Sequence, residues 1–147
     1  MNKNRAIKYF LSIAKISAEN STCKRLQVGC VLANLHNILI STGYNGAPSG
    51  FPHCCDREDD PPPGGCDCVH AEQNAVLWAK SNPLEHKICY VTISPCLQCS
   101  KMLAAFGVKE VYYIDKYRTH DSEVAPFFKK AGILCKQIDL EKACFQS

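Results

Sequence analysis

The sequence predicts an α/β fold, a mixed five-stranded sheet with helices on both faces. Three observations carry this. First, an amphipathic opening segment is followed by two short runs rich in valine and isoleucine, joined by a turn, which is the pattern of an antiparallel hairpin. Second, after a long irregular loop, helical and strand-like stretches alternate, and strand–helix–strand units favour parallel pairing. Third, the chain has 147 residues, 46% of them hydrophobic, which suits one domain with its own core rather than a disordered segment. We therefore expect residues 1–147 to form a single domain.

Taken in order, Asn4 to about Glu19 places Ile7, Phe10, Leu11, Ala14 and Ala18 at helical spacing, a docking helix that ends at Asn20-Ser21-Thr22. Gln27 to Ala33 reads as a strand, Asn34 to Asn37 as a turn, and Ile38 to Thr42 as the paired strand. Gly43-Tyr44-Asn45-Gly46 follows. Its glycines let the backbone turn and approach a ligand, and Asn45 offers both a donor and an acceptor. A plain surface turn is the alternative, and the position beside a strand end favours binding.

Phe51 to Asp67 is irregular, since Pro61-Pro62-Pro63-Gly64-Gly65 forbids regular structure. A helix is expected from His70 to Lys80, a strand over Ile88–Ile93, a helix from Cys96 to Gly107 and a strand over Glu110–Ile114. A polar loop from Asp115 to Asp121 then leads to a helix over Ser122–Ala131, capped by Asp121 or Ser122 and stopped by Gly132, and to a last strand over Ile133–Ile138.

The composition narrows the function. A formal charge of +3, with lysine and arginine scattered, does not make a nucleic-acid surface, and no stretch is apolar enough to span a membrane. The first residues lack the apolar core of a secretory leader, so the expected compartment is the cytoplasm, or the host cytoplasm for a viral protein. Eleven cysteines without such a leader read as metal ligands and buried thiols, not as a disulfide framework. Cys30, Cys89 and Cys135 fall in strands and are expected to be buried thiols.

The chemistry concentrates between His70 and Cys99. His70, Cys96 and Cys99 can occupy three corners of a tetrahedral zinc site, leaving the fourth for water, the pattern of a catalytic site. Cys96 and Cys99 lie one helical turn apart and share a face. His70 and Glu72 do not share a face in mid-helix, so they converge only if His70 stands at the helix entrance. Glu72 is then the proton carrier. A lone Cys-x-x-Cys is also found in redox pairs and structural zinc knuckles, but the combination with His-Ala-Glu and a proline before the first cysteine is specific. The long loop holds Cys54, Cys55, Cys66 and Cys68 beside His53, a set that a second, fully protein-ligated zinc could pin with Cys23 as the outside ligand. Reduced, unliganded thiols are the alternative. Cys66 and Cys68 are close for one metal, which leaves His53 or Cys55 as a replacement.

These residues resemble the cytidine deaminase superfamily and, within it, the deoxycytidylate deaminases. The matching pieces are Ser21-Thr22-Cys23-x-Arg25 before Val28-Gly29, Gly43-Tyr44-Asn45-Gly46, His70-Ala71-Glu72-x-Asn74-Ala75, Ser94-Pro95-Cys96-x-x-Cys99, Asp115-Lys116-Tyr117 and Ala131-Gly132. The resemblance implies a three-layer cytidine deaminase-like fold and zinc-dependent hydrolysis of dCMP to dUMP, which feeds thymidylate synthesis. It implies that Ala71 and Ser94 help to hold the substrate, that Asn45 fixes the sugar, and that Arg25, with Tyr117, meets the 5′-phosphate. It further implies a homohexamer, activation by dCTP and inhibition by dTTP with Mg2+ accompanying the nucleotide, an effector loop at Gly43, Tyr44, Asn45 and Gly46, and a second zinc that Cys23 and Cys54 fit, whereas Cys66-Asp67-Cys68, the candidates for its remaining ligands, departs from the relatives' pattern. A deaminase of cytidine, guanine or tRNA adenosine shares the same zinc motif.

Overall fold

The computed structural model describes residues 1–23, 25–53, 58 and 66–144. Its order is α1 (Lys3–Ala18), β1 (Gly29–Asn34), β2 (Leu39–Tyr44), α2 (Ala71–Trp78), β3 (Lys87–Ile93), α3 (Leu97–Ala105), β4 (Val108–Asp115), a π-helical turn (His120–Val124), α4 (Ala125–Ala131), β5 (Leu134–Gln137) and a short 3-10 turn (Lys142–Cys144). The sheet runs β2-β1-β3-β4-β5. β1 is antiparallel to both β2 and β3, while β3, β4 and β5 are mutually parallel, so the expected mixed sheet is the observed one.

The stripe predicted on α1 is buried, and Asn2 Oδ1 caps the helix by accepting the Arg5 N–H at 2.9 Å. Phe10, Leu11 and Ala14 pack against Val31, Ile88, Tyr90 and Tyr112 on one face of the sheet. There Phe10, Tyr90 and Tyr112 form a run of rings with centres 5.0 and 5.6 Å apart. On the other face Ala71, Ala75, Leu103 and Phe128 from α2, α3 and α4 cover Cys30, Leu32, Cys89, Val91 and Val111. β1 and β3 are thus covered on both sides, which is why they read as unbroken apolar runs rather than as alternating ones. Cys30 and Cys89 are buried thiols with sulfurs 3.6 Å apart, and Cys135 is half-buried.

Two expectations are corrected. The helix predicted over Ser122–Ala131 with an Asp121 or Ser122 cap begins instead as a π-helical turn at His120. α4 proper follows from Val124, with no side-chain cap. Pro126 explains the break, because it cannot donate to the carbonyl four residues back and its ring crowds that position. The glycine of the Gly43-Tyr44 step is also not a turn residue. Gly43 lies within β2, where a Cβ would collide with the Ala71 carbonyl oxygen and the Ala75 backbone nitrogen. Its bare backbone lets α2 seat on the sheet, and the seat is fastened by Ser41 Oγ donating to Ala75 O at 2.7 Å and Asn74 Nδ2 donating to Tyr44 O at 2.8 Å.

Because the atoms facing Gly43 are backbone and cannot swing aside, Gly43→Ala should destabilise the fold by about 1–3 kcal/mol. Thermal unfolding should show this as a midpoint lowered by roughly 4–10 °C. An unchanged midpoint would show that α2 has room to shift.

Candidate active site

Two helix entrances meet at the carboxyl end of β3. His70 is the N-cap of α2, the position required for it to converge with Glu72, and its backbone N–H is held by Gln73 Oε1 at 2.8 Å. Cys96 is the N-cap of α3, and its sulfur accepts the Cys99 backbone N–H at 3.5 Å. The His70 Nδ1 atom lies 3.6 Å from Cys96 Sγ and 3.3 Å from Cys99 Sγ, and all three donors fall within 4.8 Å of one another. Metal–sulfur bonds of about 2.3 Å and a metal–nitrogen bond of about 2.0 Å at tetrahedral angles demand a nitrogen–sulfur separation of roughly 3.5 Å. The donor set therefore fits one zinc ion, by distance as well as by element.

The electrostatics suit a cation. The hydrogen bond from Cys99 brings the Cys96 thiol down to about 4, and the same interaction, with burial, pushes the Cys99 thiol up. A metal ion bound at this point would favour the deprotonated form of both thiols. The Cys96 sulfur also holds the His70 imidazole above its ordinary range. Glu72 is 4% exposed, and burial pushes its carboxyl above the usual carboxylate range.

A cavity of about 400 Å³ opens over this cluster. Arg25, Asn45, Ala71, Ser94 and Tyr117 all line it, so the structure gathers every expected substrate residue around His70, Glu72 and Cys96. Asn45 is engaged within the protein, its Oδ1 accepting the Val28 N–H at 2.8 Å and its Nδ2 donating to Leu26 O at 2.6 Å. It thereby holds the wall formed by Leu26 and Val28, and its second amide hydrogen has no partner among the described residues. Ser94 is 2% exposed, and its hydroxyl accepts the Tyr117 N–H at 2.7 Å. Gly43, Tyr44 and Gly46 do not line the cavity, although Gly46 pairs with Val69, next to His70, through hydrogen bonds of 2.8 and 3.2 Å.

Arg118 lines the cavity as well, and sequence reasoning passed over it as part of a polar loop. The signal available was its place beside Tyr117. That loop is anchored at its far end by His120, whose Nε2 is 3.0 Å from the Tyr113 hydroxyl and whose ring centre is 4.7 Å from that of Tyr113. Burial lowers the His120 pKa, and its Nδ1 is buried without a partner among the described residues.

A second cluster joins Cys23, Cys66 and Cys68, whose sulfurs also lie within 4.8 Å of one another at the cavity's edge. Cys66 and Cys68 therefore do serve one point in space, and neither needs His53 to replace it. Burial and the neighbouring Cys23 and Cys66 sulfurs push the Cys68 thiol up. Three soft sulfur donors suit zinc. Cys54 and Cys55 lie outside the described residues.

Comparison with known proteins agrees with this geometry. The profile of the family described as the cytidine and deoxycytidylate deaminase zinc-binding region matches residues 4–115. The chain is 37% identical over 143 residues to the deoxycytidylate deaminase of Schizosaccharomyces pombe, a match covering 88% of this chain and 42% of that protein. It is 35% identical over 144 residues to ComE operon protein 2 of Bacillus subtilis, covering 91% of this chain and 71% of the other. Among solved structures, the dCMP deaminase of cyanophage S-TIM5 in complex with dCMP and dUMP superimposes with a TM-score of 0.78 at 30% identity, covering 94% of this chain and 99% of that one. The chain thus spans less than half of the fission-yeast relative and nearly the whole of the phage structure.

The His120 anchor carries a pH signature. Its folded-state pKa lies below the unfolded value of about 6.5, so between the two only the unfolded chain binds the extra proton, and stability falls as pH falls through that window. Tyr113, Asp121 and Lys116 are the groups that face it, with Asp121 acting against burial and Lys116 with it. Denaturant unfolding at pH 7 and pH 5 should show the wild type losing more stability than His120→Phe. Equal losses would mean that His120 does not titrate in this way.

Proposed function

Because the chain belongs to the cytidine and deoxycytidylate deaminase zinc-binding family, we propose that it hydrolyses dCMP to dUMP and ammonia. The observation that carries this reading is the cluster at the floor of the cavity, where His70 and Cys96 line the space, Cys99 lies buried behind them, and the three donors, spaced for zinc, share the site with the buried carboxyl of Glu72. The chemistry that zinc supplies at such a site is the acidification of a water molecule to make a nucleophile near neutral pH. His70, Cys96 and Cys99 would hold the ion. Glu72 would take the proton released as water adds to C4 of the base and deliver it to N3, then carry the proton of the added hydroxyl to the amine, so that ammonia leaves as the C4 carbonyl forms. Its raised pKa suits a group that must both accept and return a proton.

The remaining residues bind and orient. The Ala71 backbone and Ser94 border the base, Asn45 turns its free amide hydrogen to the sugar, and Arg25 with Tyr117 meets the 5′-phosphate, a role that a guanidinium fork fills well. Cys23, Cys66 and Cys68 would hold a second, structural zinc, for which Cys54, outside the described residues, is the expected fourth ligand. The effectors dCTP and dTTP, carried with Mg2+, act at the end of β2 and the turn after it, Gly43 to Gly46, where the pairing of Gly46 with Val69 would transmit their binding to His70. We take the active form to be a homohexamer in the cytoplasm, supplying dUMP for thymidylate synthesis.

Ammonia release from dCMP, deoxycytidine, cytidine and guanine tests the activity. dCMP should be preferred by about 100-fold or more in kcat/KM over the nucleosides, because a site that bonds a polar group discriminates strongly against its absence. Equal turnover of cytidine would remove the phosphate-reading role of Arg25. Glu72→Gln should keep its zinc and lose roughly 10²–10⁴-fold in kcat. Metal analysis should find two zinc ions per chain, with Cys68→Ser and Cys99→Ser each retaining one.

A further inference from the structure

Lys87, the first residue of β3, is a cation with 0% exposure that no step of the proposed reaction uses. Its Nζ donates to Asn82 O and Glu85 O at 2.6 Å each and to Phe106 O at 2.9 Å, so all three ammonium hydrogens are engaged. It also lies 4.3 Å from the centre of the Phe106 ring. No carboxylate among the described residues pairs with it. Its charge is met instead by carbonyl oxygens, one of them at the negative end of the α3 dipole, and by an aromatic face.

These partners come from two segments. Asn82 and Glu85 belong to the connection that returns the chain from α2 to the sheet, and Phe106 is the C-cap of α3. The backbone closes the same clasp: the Lys87 N–H donates to Gly107 O at 3.0 Å, and at Gly107, with φ of +86°, a Cβ would lie 2.4 Å from Pro83 O and 2.7 Å from Glu85 O. An apolar side chain would fill the position with less desolvation, but it could not bind three oxygens of two segments at once.

The clasp stands at the end of both helices opposite the metal donors. Ser41 and Asn74 already fasten α2 to β2, so α3 is the helix whose placement is still to be set. It runs nine residues from Leu97, next to Cys96, to Ala105, next to Phe106. Over that length, about 13 Å, a tilt of about 2° at the clasp moves the Cys96 end by about 0.5 Å, the tolerance of a metal constellation. We propose that Lys87 is a positioning residue for the metal donors: by binding the C-cap carbonyl of α3 to the connection after α2, it sets the separation of His70 from Cys96 and Cys99 from the far end of both helices. This rests on the reading that those three residues hold zinc.

The test compares wild type, Lys87→Met and Phe106→Leu in competition with a zinc chelator and by the absorption bands of the cobalt(II)-loaded protein, each well below its own unfolding midpoint. The catalytic ion is the one that Cys99→Ser fails to bind. Lys87→Met should hold that ion about 10- to 100-fold more weakly, the range for outer groups that orient a metal ligand, and its cobalt bands should shift. Phe106→Leu, which removes the ring and leaves the carbonyls bonded, should move both readouts in the same direction by less. Affinity and bands both unchanged in Lys87→Met would overturn the proposal however far the midpoint falls, because the clasp would then serve the fold alone. If Lys87→Met does not fold, unchanged affinity and bands in Phe106→Leu overturn it equally. A Cys99→Ser protein that binds as much metal as wild type would instead overturn the zinc reading, leaving Lys87 with no donors to position.

Discussion

Everything at this site depends on one geometric constraint: two helix entrances must come close enough for an imidazole and two thiols to meet at one point. A helix entrance is suited to this because its first backbone N–H groups are unpaired and its dipole favours negative charge. Both features are used. The Cys96 sulfur accepts the Cys99 N–H, and both sulfurs lie in the first turn of α3, where the dipole favours the thiolate form. His70 can face the same point as Glu72 only because the chain is still turning at the N-cap.

Meeting that constraint falls to the sheet. α2 must lie close against β2 to carry His70 toward Cys96, and the bare backbone of Gly43 is what permits it. Ser41 and Asn74 fasten the helix once seated. α3 is placed by β3, from which it departs after two residues, Ser94 and Pro95, that precede its N-cap. The central strands β1 and β3 are apolar on both sides, and this covered sheet is the rigid base against which donors can be held to tenths of an ångström. Burial of Glu72 follows from the same packing, and with it the raised pKa of its carboxyl.

The walls of the cavity are built differently from its floor. Floor residues sit at helix ends, whereas Arg25, Asn45, Tyr117 and Arg118 come from connecting segments that must be tied down individually. Asn45 ties residues 26–28 through its amide, Ser94 ties Tyr117 through its hydroxyl, and His120 ties the end of the loop through Tyr113. These polar clamps are buried or partly buried, and they bring cationic and aromatic groups from distant parts of the chain to one opening.

The element order, the mixed pairing, the stripe of α1 and the triad of His70, Cys96 and Cys99 with Glu72 were legible in the sequence, because each rests on spacing within one segment or on a donor set of definite chemistry. The split of the expected Ser122–Ala131 helix was less so, since Pro126 is compatible with both a helix start and a break. That Gly43 serves helix packing rather than ligand approach, that Cys66 and Cys68 converge with Cys23, and that Arg118 shares a cavity with Arg25 came only from the tertiary structure. Sequence fixes which groups are present and their local period. Which of them face each other is decided by how the sheet orders its strands, and that ordering depends on contacts between residues far apart in the chain.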